Sequence, residues 1–408
     1  MKKILFIVFV CVSIAGRSQL LNPIQFDTTR IDHELIFNAG ADYFSTSIYR
    51  DFGSKLVFGG VITNDLKANT FGHHNSINRV GLDLQSEIEF RNYAVNLFGN
   101  EKWGYLIKAG YYTIGSAAYS KDLFGMAFYG NEAYLDTTAE FSGSTVKYMS
   151  FQKIGFGVIS KSRKSSITLN LVNVSNAFTG EVTTGELKQN ADGSLVELTL
   201  DGSFKSTQST SFSAGIGAAI DFDFKLPFNW IQGRKAFLQF QLKNLGVAYM
   251  HQGMQQYSAD STYNYSGFTV DQLVNNQTLY GDDFSLTDSL QIDSKLVKNW
   301  VVLPTLFQAG KIIDEHYTGK LQSFFGVRLY PTMLYSPLVY AGANYRPFSW
   351  LDLGVSGSFG GFGGFRTGFY SSFKVKLFHV GIGTEDVIGW VSKRGLGQSL
   401  NLRLRCKF

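Results

Sequence analysis

The chain has 408 residues, a formal net charge of +5, 15% aromatic residues, 43 Gly and only 6 Pro. Removing Lys2, Lys3 and Arg17 leaves +2, so the totals give no electrostatic case for a nucleic-acid partner. Of the 2 Cys, Cys11 lies in an apolar opening run, which leaves Cys406 alone and excludes an internal disulfide framework for the remainder.

Residues 1–18 place Lys2 and Lys3 before the apolar run ILFIVFVCVSIAG and end on the small residues Gly16 and Ser18. This reads as a secretory signal peptide and predicts export, with 19–408 as one domain. No apolar run of helix-spanning length follows, so a membrane-spanning chain must cross with strands closed into a barrel. The aromatic and Gly content suits that architecture, with aromatics for two interfacial girdles and Gly for turns and tight lumen packing.

Two-residue alternation then recurs along the chain, and it predicts strands near 35–47, 55–64, 103–117, 145–160, 165–177, 195–207, 323–334, 339–346, 350–359 and 368–384. In LDLQSEIEF, Leu82, Leu84, Ile88 and Phe90 oppose Asp83, Gln85, Glu87 and Glu89. In FSAGIGAAIDFDFKL, Phe212, Ala214, Ile216, Ala218, Ile220, Phe222, Phe224 and Leu226 share an apolar face while Gly215, Gly217, Asp221, Asp223 and Lys225 share the other. The phase of FLQFQLK switches after Asn244, which a β-bulge would explain. The closing SLNLRLRCKF sets Leu400, Leu402, Leu404, Cys406 and Phe408 against Asn401, Arg403, Arg405 and Lys407. The expected fold is all-β, a single transmembrane antiparallel barrel of about 14 strands, within about 12 to 16.

Two regions break the rhythm. SKDLFGMAFYGNEAY pairs Leu123 with Ala127 and Phe124 with Phe128 at helical spacing after a capping Ser120, which predicts either one amphipathic turn or a plain strand connection. The polar segment 251–298 reads as a long extramembrane loop or small cap rather than membrane wall. The Gly-rich GSFGGFGGFRTG lacks phosphate-loop spacing and reads as a barrel hairpin or an inward kink.

Candidate chemistry is sparse. The histidines lack metal-ligand spacing, and no nucleophile elbow or P-loop occurs, so neither an enzyme nor a cofactor is expected. The carboxylate pairs Glu87/Glu89 and Asp221/Asp223, with Arg403, Arg405 and Lys407, are expected to face the lumen, where ion pairing between them is natural.

The sequence resembles an uncharacterised Bacteroidota family of outer-membrane β-barrels, itself distantly like the long-chain fatty-acid transporter barrels. The likeness is carried by Asn22 and Pro23, SKDLFGMAFYGN, LPTLFQAG and the strand closing on Phe408. It implies a fourteen-stranded wall in the outer membrane of a Gram-negative cell, with 19–32 folded into the lumen as a plug; an ordinary disordered terminus is the alternative reading of that segment. It also implies an assembly signal of Leu400, Leu402, Leu404 and Phe408 read by the barrel assembly machinery. A weaker similarity of composition and length is to barrels attached to the type IX secretion machinery. The implied functions are a channel or carrier for a small hydrophobic solute, or an adaptor barrel docking an envelope protein through 251–298, such as a secretion-system component. The expected partners are outer-membrane lipid, the assembly machinery and that envelope protein.

Overall fold

A computed structural model describes residue 27 and residues 31–193, 195–207, 212–229, 235–265, 293–314 and 319–408. Segment 1–18, expected to be a signal peptide, most of 19–32 and the middle of 251–298 lie outside the described residues.

Among the described residues, fourteen antiparallel strands close into a ring. In chain order they are β1 (His33–Ser45), β2 (Ile77–Asn92), β3 (Trp103–Ser120), β4 (Ser144–Ser160), β5 (Ser166–Gln189), β6 (Gly215–Asn229) and β7 (Lys235–Tyr249). The second half is β8 (Leu306–Ile312), β9 (Leu321–Leu329), β10 (Ser336–Phe348), β11 (Leu351–Gly361), β12 (Phe365–Val375), β13 (Phe378–Thr384) and β14 (Gly397–Lys407). Each strand pairs with its chain neighbours. The seam joins β14 to β1 in continuous register from Glu34↔Lys407 to Phe44↔Gly397. Just beyond it, the backbones of His33 and Phe408 exchange two hydrogen bonds of 2.8 and 3.1 Å.

The alternation in sequence becomes an outside and an inside. Outward residues are apolar and uncovered, with Leu171 and Phe359 exposed at 73% and 63%. Only lipid makes such a surface favourable around an entire ring. Aromatics gather at both rims: Trp350 stacks between Phe348 and Phe373 at one end, and Tyr249 meets Trp300 at the other. No helix among the described residues is long and apolar enough to cross a membrane. The chain is an antiparallel barrel of the outer-membrane type.

The two ends differ. At the end where β1 begins and β14 finishes, the described connections include the short turns 161–165, 349–350 and 376–377. The opposite end carries helices α1 (Arg50–Phe58), α2 (Asn64–Gly72), α3 (Lys121–Tyr129) and α4 (Val387–Val391). The Ser120 hydroxyl caps α3 by accepting from Leu123 N at 3.0 Å. Helix α3 then packs Phe124 against Phe52, Phe71 and His74.

Four readings of the sequence change. Segment 55–64 forms no strand; it spans the end of α1 and the start of α2 in the connection between β1 and β2, where Leu56, Val57, Phe58 and Val61 stand exposed beyond the ladder instead of pairing in the wall. Segment 368–384 is two strands, divided by a turn in which Lys376 takes φ 50°. Strand Val196–Ser206 forms but leaves the wall, pairing with the far half of β5 and with Met254–Tyr265. The segment 251–298 contains that last strand and Asp293–Val297, which pair with each other.

Candidate functional site

The phase switch after Asn244 is a bulge. Ile220 pairs with Leu245 and Phe222 with Leu242, so Lys243 and Asn244 together oppose Asp221. Asn244 has φ 59°, a left-handed conformation that asparagine tolerates better than most residues. The bulge turns its backbone N–H onto Asp221 Oδ1 at 2.7 Å and its side chain into the lumen, where Lys153 Nζ donates to Asn244 Oδ1 at 2.7 Å.

Around that point the lumen holds a buried charge network. Asp221 Oδ2 accepts from Lys108 and, at 2.7 Å, from the fully buried Lys153. Glu87 accepts from Tyr112 Oη at 2.5 Å and lies 3.7 Å from Lys243 Nζ. Toward the short-turn end, Glu89 pairs with Arg91 at 2.5 Å, and Arg91 reaches Glu34 at 3.2 Å. Asp223 pairs with Lys225 at 2.8 Å and accepts from Gln239 at 2.7 Å. Apart from Tyr112, Lys153 and Asn244, which stand behind the lining, these groups border one cavity of about 120 Å³. Charges this deep persist only when paired.

All four carboxylates expected to face the lumen do line this cavity, as do Arg403 and Arg405. Their partners differ from the expected ones. Arg405 lies 3.8 Å from Glu34 and contacts His379, and Lys407 pairs with Asp27. The other carboxylates draw on Arg91, Lys108, Lys153, Lys225 and Lys243, cations that stand in the inward phase of their own strands. Asp27 is the one described residue of 19–30, and it is buried in the cavity wall. Among the described residues no three His, Cys, Asp or Glu side chains converge as a metal set would.

Leu400, Leu402 and Leu404 lie on the outer face of β14, and the Phe408 side chain is 55% exposed. Because Phe408 hydrogen-bonds back to His33, deleting it should leave the seam frayed. The expected result is less heat-modifiable folded protein in the outer membrane, and unchanged levels would refute a role in assembly.

Between the cavity and the helical end the lumen is filled. Tyr112 stacks on Phe151 at 5.1 Å within a cluster that includes Met149, Val172, Met250 and Leu303. Beside it, the 330–335 turn between β9 and β10 folds inward. Tyr330 Oη donates to Asp83 Oδ2 at 2.8 Å, Leu334 N to Ser116 Oγ at 3.1 Å and Lys147 Nζ to Thr332 O at 3.2 Å. Thus β9–β10 is tied to β2, β3 and β4 across the barrel. Nothing in the composition of that turn marked it as a plug.

The helical cap holds a titratable element. His74 Nδ1 donates to Thr70 O at 2.7 Å, and its Nε2 faces Tyr119 Oη at 3.2 Å. Burial holds its pKa below the ordinary value, and nearby Lys121 and His73 add to this, while the Thr70 carbonyl opposes them. The folded cap therefore prefers neutral imidazole. Its stabilisation is complete above the ordinary histidine value of about 6.5 and is lost as pH falls below it. Proteolysis of loop 46–76 should accelerate between pH 7.5 and 5. The His74→Gln variant should lose that pH dependence; if it keeps it, another group is responsible.

No family model matches the sequence, and no curated protein sequence matches it. Among solved structures, the toluene transporter TodX of P. putida is similar at 10% identity and TM-score 0.40, over 93% of this chain and 91% of that one. The translocator domain of the autotransporter NalP from Neisseria meningitidis matches at 7% identity and TM-score 0.30, over 93% and 90%. The CymD monoaromatic hydrocarbon channel matches at 7% identity and TM-score 0.30, over 93% and 89%. All three TM-scores lie below 0.5, and the fold assignment rests on the ring of strand pairings.

Proposed function

We propose that the protein is an outer-membrane channel for a polar solute, closed in the state described. The observation that supports this most is the cavity: it sits inside a closed, lipid-compatible wall and is lined mainly by charged side chains. Such a lining disfavours the hydrophobic solute implied by the fatty-acid-transporter resemblance, because an apolar molecule there would desolvate charges without pairing them. In this reading the charged groups select and hold solute and perform no catalysis. The chain reaches the outer membrane by signal-directed export, and its closing strand serves the assembly machinery.

Planar-bilayer recording of the purified barrel tests this. Rare, brief openings that pass small ions and hydrophilic solutes are expected. A permanently silent barrel that binds a stoichiometric apolar molecule would overturn the reading.

One observation favours the adaptor alternative. The strands Thr138–Glu140, Val196–Ser206, Met254–Tyr265 and Asp293–Val297 extend the far half of β5 into a sheet outside the wall. Every residue of Val196–Ser206 is partly exposed. Stoichiometric recovery of an envelope protein, lost when this sheet is trimmed, would establish that role.

A further inference from the structure

The cavity has an unequal charge inventory. Its described lining includes eight Lys and Arg side chains and six carboxylates. Each carboxylate is already engaged. Asp27 pairs with Lys407, Glu34 and Glu89 with Arg91, Glu87 with Tyr112, Asp221 with Lys108 and Lys153, and Asp223 with Lys225.

Lys164 stands apart. It lies in the 161–165 turn at the short-turn end, where its N–H donates to Ser160 O at 2.8 Å. It adopts φ 51°, a conformation costly for a lysine and usually given to Gly or Asn. Its side chain nonetheless turns inward. The residue is 3% exposed, and Nζ lies 5.4 Å from the centre of the Tyr93 ring. Among the described residues Nζ has no hydrogen-bond acceptor, although Glu34 and Asp27 attract it through space. The backbone carbonyl of the same residue accepts from Lys225 Nζ at 3.0 Å, which brings a second cation to the spot. A buried ammonium without an acceptor is costly, and an unusual backbone conformation that maintains it points to a role.

We propose that the cavity beside Lys164 is a binding site for a small oxyanion, a sulfate, phosphate or carboxylate group, whether free or carried on a larger solute. The anion supplies the acceptor that Lys164 lacks and balances the cationic surplus, and a cavity of about 120 Å³ accommodates a group of that size. The inference deepens the channel reading by naming the class of solute, and it places the site near the turn-closed end of the lumen.

The probe is inorganic sulfate, titrated calorimetrically into the full-length barrel in detergent at constant ionic strength. One site per barrel is expected. Lys164→Gln should weaken it by roughly tenfold or more, the worth of a charge-assisted hydrogen bond. Lys161→Gln, on the same turn but bonded outward to Asn96, should leave it unchanged. Absence of sulfate binding, or equal effects of the two variants, overturns the site.

If Lys164→Gln does not fold, wild-type protein provides the test. Burial pushes the Lys164 ammonium down to about 8, with Arg91 and Arg405 acting in the same direction and Glu34 and Asp27 opposing them. Sulfate affinity should therefore fall as pH rises through 8, and constant affinity from pH 7 to 9 would refute the proposal. Binding without bilayer current would keep the site and remove the channel reading. Current without Lys164-dependent binding would do the reverse.

Discussion

Replacing Asp221 with alanine is expected to destabilise the barrel by about 3–5 kcal/mol, the usual result of removing one partner from a buried ion pair. Asp221 serves three donors at once: Lys108, Lys153 and the backbone N–H of Asn244. Its removal strands two ammonium groups inside the wall and frees the bulge that positions Asn244. The urea midpoint of heat-modifiable folded protein reports the loss. A triple variant, Asp221→Leu with Lys108→Met and Lys153→Met, removes the charges together and should recover much of the midpoint, since apolar replacement of a whole buried network is often neutral. If Asp221→Ala unfolds at the wild-type urea concentration, the network contributes little to stability.

The second large effect concerns passage. Replacing 331–334 by Asn-Gly, a two-residue hairpin turn, should retract the β9–β10 connection from the lumen. The bonds to Ser116 and Lys147 then disappear, and Tyr330 loses the turn that directs it toward Asp83. Bilayer recordings should change from rare openings to sustained, discrete current steps. An unchanged closed fraction would assign closure to the Tyr112–Phe151 cluster or to the helical cap instead. The two predictions separate cleanly, because the turn touches the wall from inside while Asp221 is part of it.

Much of the wall was legible because a strand's period of two cannot be mistaken where charge and apolar residues alternate strictly, as in β2, β6 and β14. The bulge was legible for the same reason, since a single inserted residue reverses the phase. Other features left no comparable trace. Residues 55–64 carry an apolar run, but it falls in an exposed helical connection, and a short apolar run does not distinguish strand from helix. The turn at Lys376 uses a lysine at positive φ, so no Gly or Asn announced it. The inward faces of β2 and β6 marked Glu87, Glu89, Asp221 and Asp223 as lumenal. Their partners depend on which strands the ring brings opposite one another, and one strand's pattern cannot supply that. The plug is further from reach, because 330–335 has an ordinary turn composition and only its tertiary bonds draw it inward.

The seam between β1 and β14 also has a mechanical consequence. Every other neighbouring pair in the wall is joined by a hairpin or a longer connection, whereas this pair is held without a connecting segment, by its ladder and the non-covalent contacts at its two ends. Stretched from its two ends, the molecule would load the β1–β14 ladder in peeling geometry, one hydrogen-bonded pair after another. Once that ladder parts, the wall becomes an open ribbon whose exposed edges can be stripped hairpin by hairpin. Resistance to such opening is therefore concentrated in one zipper of eleven residue pairs and the few bonds that flank it.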